Sequence, residues 1–92
     1  MSGIARKVPR LFAMHWGGGR ITEEASYLGR HHEPAFQLME FDNGSRAIRF
    51  CYYSAGRFQR SPLMLGTKEL KLMKAALHKT PTLHRLLRQL VS

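Results

Sequence analysis

One cysteine, one tryptophan, four prolines and six acidic residues are all that this 92-residue chain has of those types. A lone Cys51 excludes an internal disulfide, and a free thiol fits a reducing intracellular compartment such as cytoplasm, nucleoid or nucleus. No apolar run approaches the ~20 residues that a bilayer-spanning helix needs, so no membrane is expected among its partners. The first ten residues, with Arg6, Lys7 and Arg10, lack the apolar stretch of a secretory signal and are expected to form a flexible basic arm. Acid is the scarcest commodity: six Asp and Glu face fifteen Lys and Arg, for a formal charge of +9. A pI near 10.7 calls for a polyanionic partner, nucleic acid ahead of an anionic surface.

What is present suits one small domain over residues 11–92. At this length a chain buries roughly three-fifths of its unfolded surface, so dimerisation is an economical way to add burial. A hydrophobic fraction of 43% is too high for a disordered basic tail. From Arg46 onward there are ten Lys and Arg against the single acid Glu69, which equals the charge of the whole chain. Arg46, Arg49, Arg57 and Arg60 fall on strand-like stretches that also carry Phe41, Phe50, Tyr52, Tyr53 and Phe58. Guanidinium groups neutralise phosphates and aromatic rings offer stacking faces to unpaired bases.

The local signals give an order of elements. Leu11 to Trp16 reads as a short strand stopped by Gly17-Gly18-Gly19, and Thr22 as the cap of a brief helix to Leu28, ended by Gly29. Ala35 to Phe41 is a strand, Asn43-Gly44 a two-residue type I′ hairpin turn, and Arg46 to Tyr53 the returning strand. Ser54-Ala55-Gly56 is then a three-residue loop, and Arg57 to Leu65 a third strand with Pro62 at an edge or bulge. This register sets Phe41 opposite Arg46, Met39 opposite Ile48 and Tyr52 opposite Phe58. One face would carry Met39, Phe41, Arg46, Ile48, Phe50, Tyr52, Phe58 and Arg60. The other would carry Phe36, Leu38, Glu40, Arg49, Cys51, Tyr53, Arg57 and Gln59, and the pattern does not decide which is buried. Thr67 caps a helix with Leu70, Met73, Ala76 and Leu77 on one side. Thr80-Pro81 restarts it, with Leu83, Leu86, Leu87, Leu90 and Val91 at helical spacing. The leucine stripe is expected to be core or a dimer seam.

The run Phe41-Asp42-Asn43-Gly44, Ile48-Arg49 with Tyr52 after it, Arg57, Arg60, and Leu63-Met64-Leu65 leading into Thr67-Lys68-Glu69-Leu70 resembles the positive-cofactor-four family. These are single-stranded-DNA-binding transcriptional coactivators of the Whirly-like group. The resemblance covers residues 35–79. It implies an α+β fold: a curved antiparallel sheet of about four strands, then a C-terminal helix or two short ones that form a dimer, with the sheet over 35–65 and helix over 67–91. It implies that single strands lie across the sheet, with Phe41 and Tyr52 stacking on bases and Arg49 and Arg60 contacting phosphates or base edges. The chain departs from the pattern at Leu70, where the family has Trp, at Thr80-Pro81, and between Trp16 and Pro34.

The expected site is therefore Phe41, Arg46, Arg49, Tyr52, Arg57, Phe58 and Arg60, on a binder of single-stranded DNA or RNA with low sequence preference. Such a protein would be a homodimeric transcriptional regulator working with the transcription machinery, not an enzyme, with no cofactor and no metal. His15-Trp16-Gly17-Gly18-Gly19 is neither an esterase oxyanion loop nor a phosphate loop, since the Gly-x-Ser-x-Gly and Gly-Lys-Ser/Thr partners are missing. His31, His32 and Cys51 lack metal-ligand spacing. Two alternatives stay open: a small metal-independent ribonuclease built on His15, His31, His32, Arg49 and Tyr53, and a basic adaptor for an acidic protein.

Overall fold

The computed structural model describes residues 6–59 and 62–92. Its elements are β1 (Arg10–Met14), β2 (Gly17–Ser26), β3 (Glu33–Phe41), β4 (Arg46–Ser54), β5 (Arg57–Phe58), β6 (Leu63–Gly66), α1 (Thr67–Leu77) and α2 (Pro81–Val91). The strands pair antiparallel in the order β1-β2-β3-β4-β5, and β6 takes the remaining length of the same edge of β4. The class is α+β as expected, a curved sheet followed by two helices, but the sheet has six described strands instead of about four.

Several local expectations are overturned. Thr22 to Leu28 is not a helix: residues through Ser26 belong to β2, because Ile21 and Glu24 both find partners on the inner side of the sheet. A bulge at Thr22 makes this possible by letting the two residues share a face three positions apart. The first strand ends at Met14, the turn is His15-Trp16, and Gly17, Gly18 and Gly19 do not stop a strand but open β2. Glycine is required at position 19, where a Cβ would lie 2.1 Å from the carbonyl oxygen of Glu40. Residues 6–10 are not a free arm, since Arg10 opens β1 and Arg6 is bound by Glu33. The third strand is two pieces, β5 and β6. Gly66, not Thr67, is the cap of α1, with the Glu69 carboxylate accepting from its N–H; Thr80 and Pro81 start α2 as expected.

The two hairpin turns exchange types. At the first, Gly44 donates to Phe41 and Phe41 to Ser45, leaving a three-residue loop in which Gly44 alone has positive φ (+89). The Asn43 side chain accepts from the Ser45 N–H and hydroxyl, which holds Asn43 outside the left-handed region. At the second, Ser54 pairs with Arg57 across Ala55 (φ 52) and Gly56 (φ 77), a two-residue turn with both central residues left-handed. Each change shifts the register by one. Glu40 therefore faces Arg46, Leu38 faces Ile48, Phe36 faces Phe50 and Tyr53 faces Phe58.

Because opposed residues share a face, this slip re-sorts the sheet. The inner face holds the buried Ile21, Glu33, Ala35, Gln37, Met39, Ala47 and Tyr53. The outer face carries Phe36, Leu38, Ile48, Phe50 and Tyr52, half-buried or exposed, and looks toward the helices. A non-glycine residue in the left-handed region costs roughly 1 kcal/mol, which Asn lowers. Ala55→Asn is accordingly expected to raise the melting temperature by about 2–6 °C; an unchanged or lower value in a thermal scan contradicts the two-residue turn.

Candidate nucleic-acid interface

The inner face is polar where a small core would ordinarily be apolar. Arg10 from β1 grips Glu24 of β2 with both terminal nitrogens, at 3.0 and 3.1 Å. Arg6 does the same to Glu33 of β3, at 3.0 and 2.7 Å, and its guanidinium lies 3.5 Å from the centre of the Tyr53 ring. Gln37 links the two halves, donating to Glu24 (2.6 Å) and to the Tyr53 hydroxyl (3.0 Å). Its own carbonyl accepts from Arg49 Nε at 2.6 Å.

Burial pushes the Glu24 carboxyl up, but the hydrogen bonds from Arg10 and Gln37 and the charges of Arg10 and Arg6 outweigh it and hold the group below the usual carboxylate range. Arg49 is held by neutral groups, the Gln37 amide on one side and the Phe58 ring 4.5 Å away on the other.

Aromatic rings gather at one end of the same face. Phe12 meets Phe41 edge-on at 5.1 Å across Gly19, which has no side chain to separate them. Trp16, projecting from the β1–β2 turn, stacks on Phe41 at 5.3 Å and 26° while remaining 59% exposed. Trp16 and Phe41 line a cleft of about 300 Å³ whose other walls include Arg46, Met64, Lys68 and Glu69. Arg46 is 3.3 Å from Glu40, but both are well exposed, and such a surface pair contributes under about 1 kcal/mol.

The sequence-predicted residues are divided by this arrangement. Phe41, Arg49 and Phe58 lie on the inner face. Arg46, Tyr52 and Arg57 fall on the outer face in register, although Arg46 also reaches the cleft. Tyr52 contacts His32 edge-on at 5.3 Å. Arg60 lies outside the described residues. Sequence reasoning missed Trp16, Lys68 and the whole Arg6–Arg10–Glu24–Glu33–Gln37 network. The one signal for Trp16 was a solitary Trp next to a turn, and it was read as the end of a strand.

Other chemistry weighed on the sequence is placed as follows. Burial pushes the Cys51 thiol up despite Arg49 nearby, and its Sγ–H points to the Ala35 carbonyl at 3.7 Å, as a packed thiol does. His15 sits in the β1–β2 turn, His32 against outer-face Tyr52, and Arg49 and Tyr53 on the inner face. Among the described residues no helix is long and apolar enough to cross a membrane. No family model, curated protein or solved structure matches this chain.

Proposed function

We propose that this chain binds single-stranded nucleic acid, with low sequence preference, on the inner face of its curved sheet. One observation carries the reading: an exposed Trp16, backed by Phe41, opens onto a cleft with Arg46 and Lys68 on its walls. Any base has a π-face to lay on that ring, which gives affinity without sequence readout. Arg49 against the exposed Phe58 supplies a second pairing of ring and cation further along the face. Four of the six acids are engaged within the chain, Glu24 and Glu33 by arginines, Glu40 by Arg46 and Glu69 by the start of α1, so the outward field is positive. The resemblance to single-strand-binding coactivators supports a role in transcription, and a homodimer formed through the helices belongs to the same proposal.

The test is a competition experiment on a labelled oligonucleotide of about 20 residues. A single strand should compete at least tenfold better than its duplex, and affinity should fall with salt by about 0.7 log units per log unit for each phosphate held. Arg46→Ala should flatten that slope by about 0.7. Equal competition by duplex and single strand would replace this reading with general polyanion binding, and cleavage of the strand by pure protein would replace it with a nuclease.

A further inference from the structure

Gln37 is 1% exposed and lies directly opposite Arg49 in the β3–β4 pairing. The two ends of its amide are chemically different, and its partners leave it one orientation. Glu24, ionised beside Arg10 and Arg6, can only accept, so the Gln37 NH2 group must face it, at 2.6 Å. The same nitrogen donates to the Tyr53 hydroxyl at 3.0 Å. The amide oxygen therefore points the other way, onto Arg49 Nε at 2.6 Å. Arg49 is thus tethered at Nε, with its guanidinium carbon 4.5 Å from the centre of the Phe58 ring. The direction of its two terminal nitrogens is set by Glu24 acting through Gln37. Arg6 and Arg10 give that fork of terminal nitrogens to Glu33 and Glu24. Among the described residues no carboxylate pairs with Arg49. Cys51 beside it carries a thiol, which is a weak acceptor.

We propose that the Arg49 fork reads guanine at one position of a bound strand, with Gln37 as the residue that positions it. The inference rests on the single-strand reading above and adds one point of readout to a surface that otherwise takes any base. A fork of two donors needs two acceptors side by side. Guanine offers O6 and N7 on one edge, whereas adenine sets a donor beside its acceptor and thymine a methyl group. A base held by the fork comes to lie against Phe58, which is 41% exposed, so hydrogen bonding and stacking act on the same ring system. A phosphate also fits an arginine fork, but it has no face to lay on that ring. Unpaired cytosine, with O2 and N3, is the nearest competitor, on a smaller ring.

The test scans one guanine through a short thymidine strand of about eight residues, within the ~4–16 that a single-strand-binding module takes. At its best position the guanine should raise affinity at least about fivefold over the all-thymidine strand, the lower end of what one bidentate pair discriminates. Replacing that guanine by 7-deazaguanine, which lacks the N7 acceptor, should abolish the gain. The ratio of guanine-strand to thymidine-strand affinity is then read for two variants shown to be folded by circular dichroism. Arg49→Lys keeps the charge without the fork, and Gln37→Met keeps the length without the amide oxygen; in both the ratio should fall to about one. A gain below twofold at every position, a gain that survives 7-deazaguanine or either variant, or an equal gain from cytosine overturns the inference while leaving single-strand binding in place. Failure of the wild-type protein to bind the thymidine strand at all overturns the single-strand reading itself.

Discussion

Glu24→Ala is expected to destabilise the protein more than any exposed substitution, by about 3–5 kcal/mol, the usual cost of removing one partner from a buried ion pair. The Glu24 side chain is 6% exposed and accepts from both terminal nitrogens of Arg10 and from Gln37, with Arg6 at 3.8 Å. Without it, the Arg10 guanidinium loses both carboxylate contacts and the Gln37 amide keeps only the Tyr53 hydroxyl as acceptor, in a place water reaches poorly. Domains of this size have roughly 5–15 kcal/mol of stability in total, so the melting temperature should fall by about 15–30 °C.

The same carboxylate dictates the response to acid. Its folded pKa lies below its ordinary value, so its contribution is fully present above the ordinary carboxylate range. That contribution is lost as pH falls through the folded pKa. Wild-type stability should therefore decline below about pH 4–5. Glu24→Gln, which keeps the shape and removes the titration, should be less stable at pH 7 and show a flatter decline. Parallel curves for the two proteins between pH 7 and 3 would show that Glu24 is not the group responsible.

Trp16→Ala is expected to weaken single-strand binding by about 5- to 150-fold, the equivalent of the roughly 1–3 kcal/mol that one stacking ring contributes. Because Trp16 is largely exposed, the same substitution should move the melting temperature by only a few degrees. Phe41→Ala is a contrasting control: Phe41 is half-buried between Phe12 and Trp16, so both affinity and stability should fall. Tyr52→Ala, on the outer face, should affect binding least of the three. Trp16 is the chain's sole tryptophan, so its fluorescence reports the site directly and should be quenched by an unlabelled strand. Unchanged affinity in Trp16→Ala would remove the cleft from the binding surface.

The amino-acid sequence by itself determined the elements whose signals are local. The Asn43-Gly44 hairpin signal between two strand-like runs, the second rich in aromatic residues, marked β3 and β4, Thr80-Pro81 marked the start of α2, and the spacing of Leu83, Leu86, Leu87 and Leu90 marked its apolar stripe. The excess of Lys and Arg marked the charge. Tertiary structure decided the rest, because it turned on partners distant in sequence. Thr22-Glu23-Glu24 has the composition of a helix start, yet Arg10 and Gln37 hold Glu24 in a strand. Asn43-Gly44 has the composition of a two-residue turn, yet the Asn43 side chain's bonds to Ser45 lengthen the loop by one residue. In a sheet of period two, that residue moves Arg49 from the company of Phe36 to that of Met39, and so from one face to the other. Which side chains share the inner face was settled by that single-residue shift, a balance of about a kilocalorie in each turn that composition does not register.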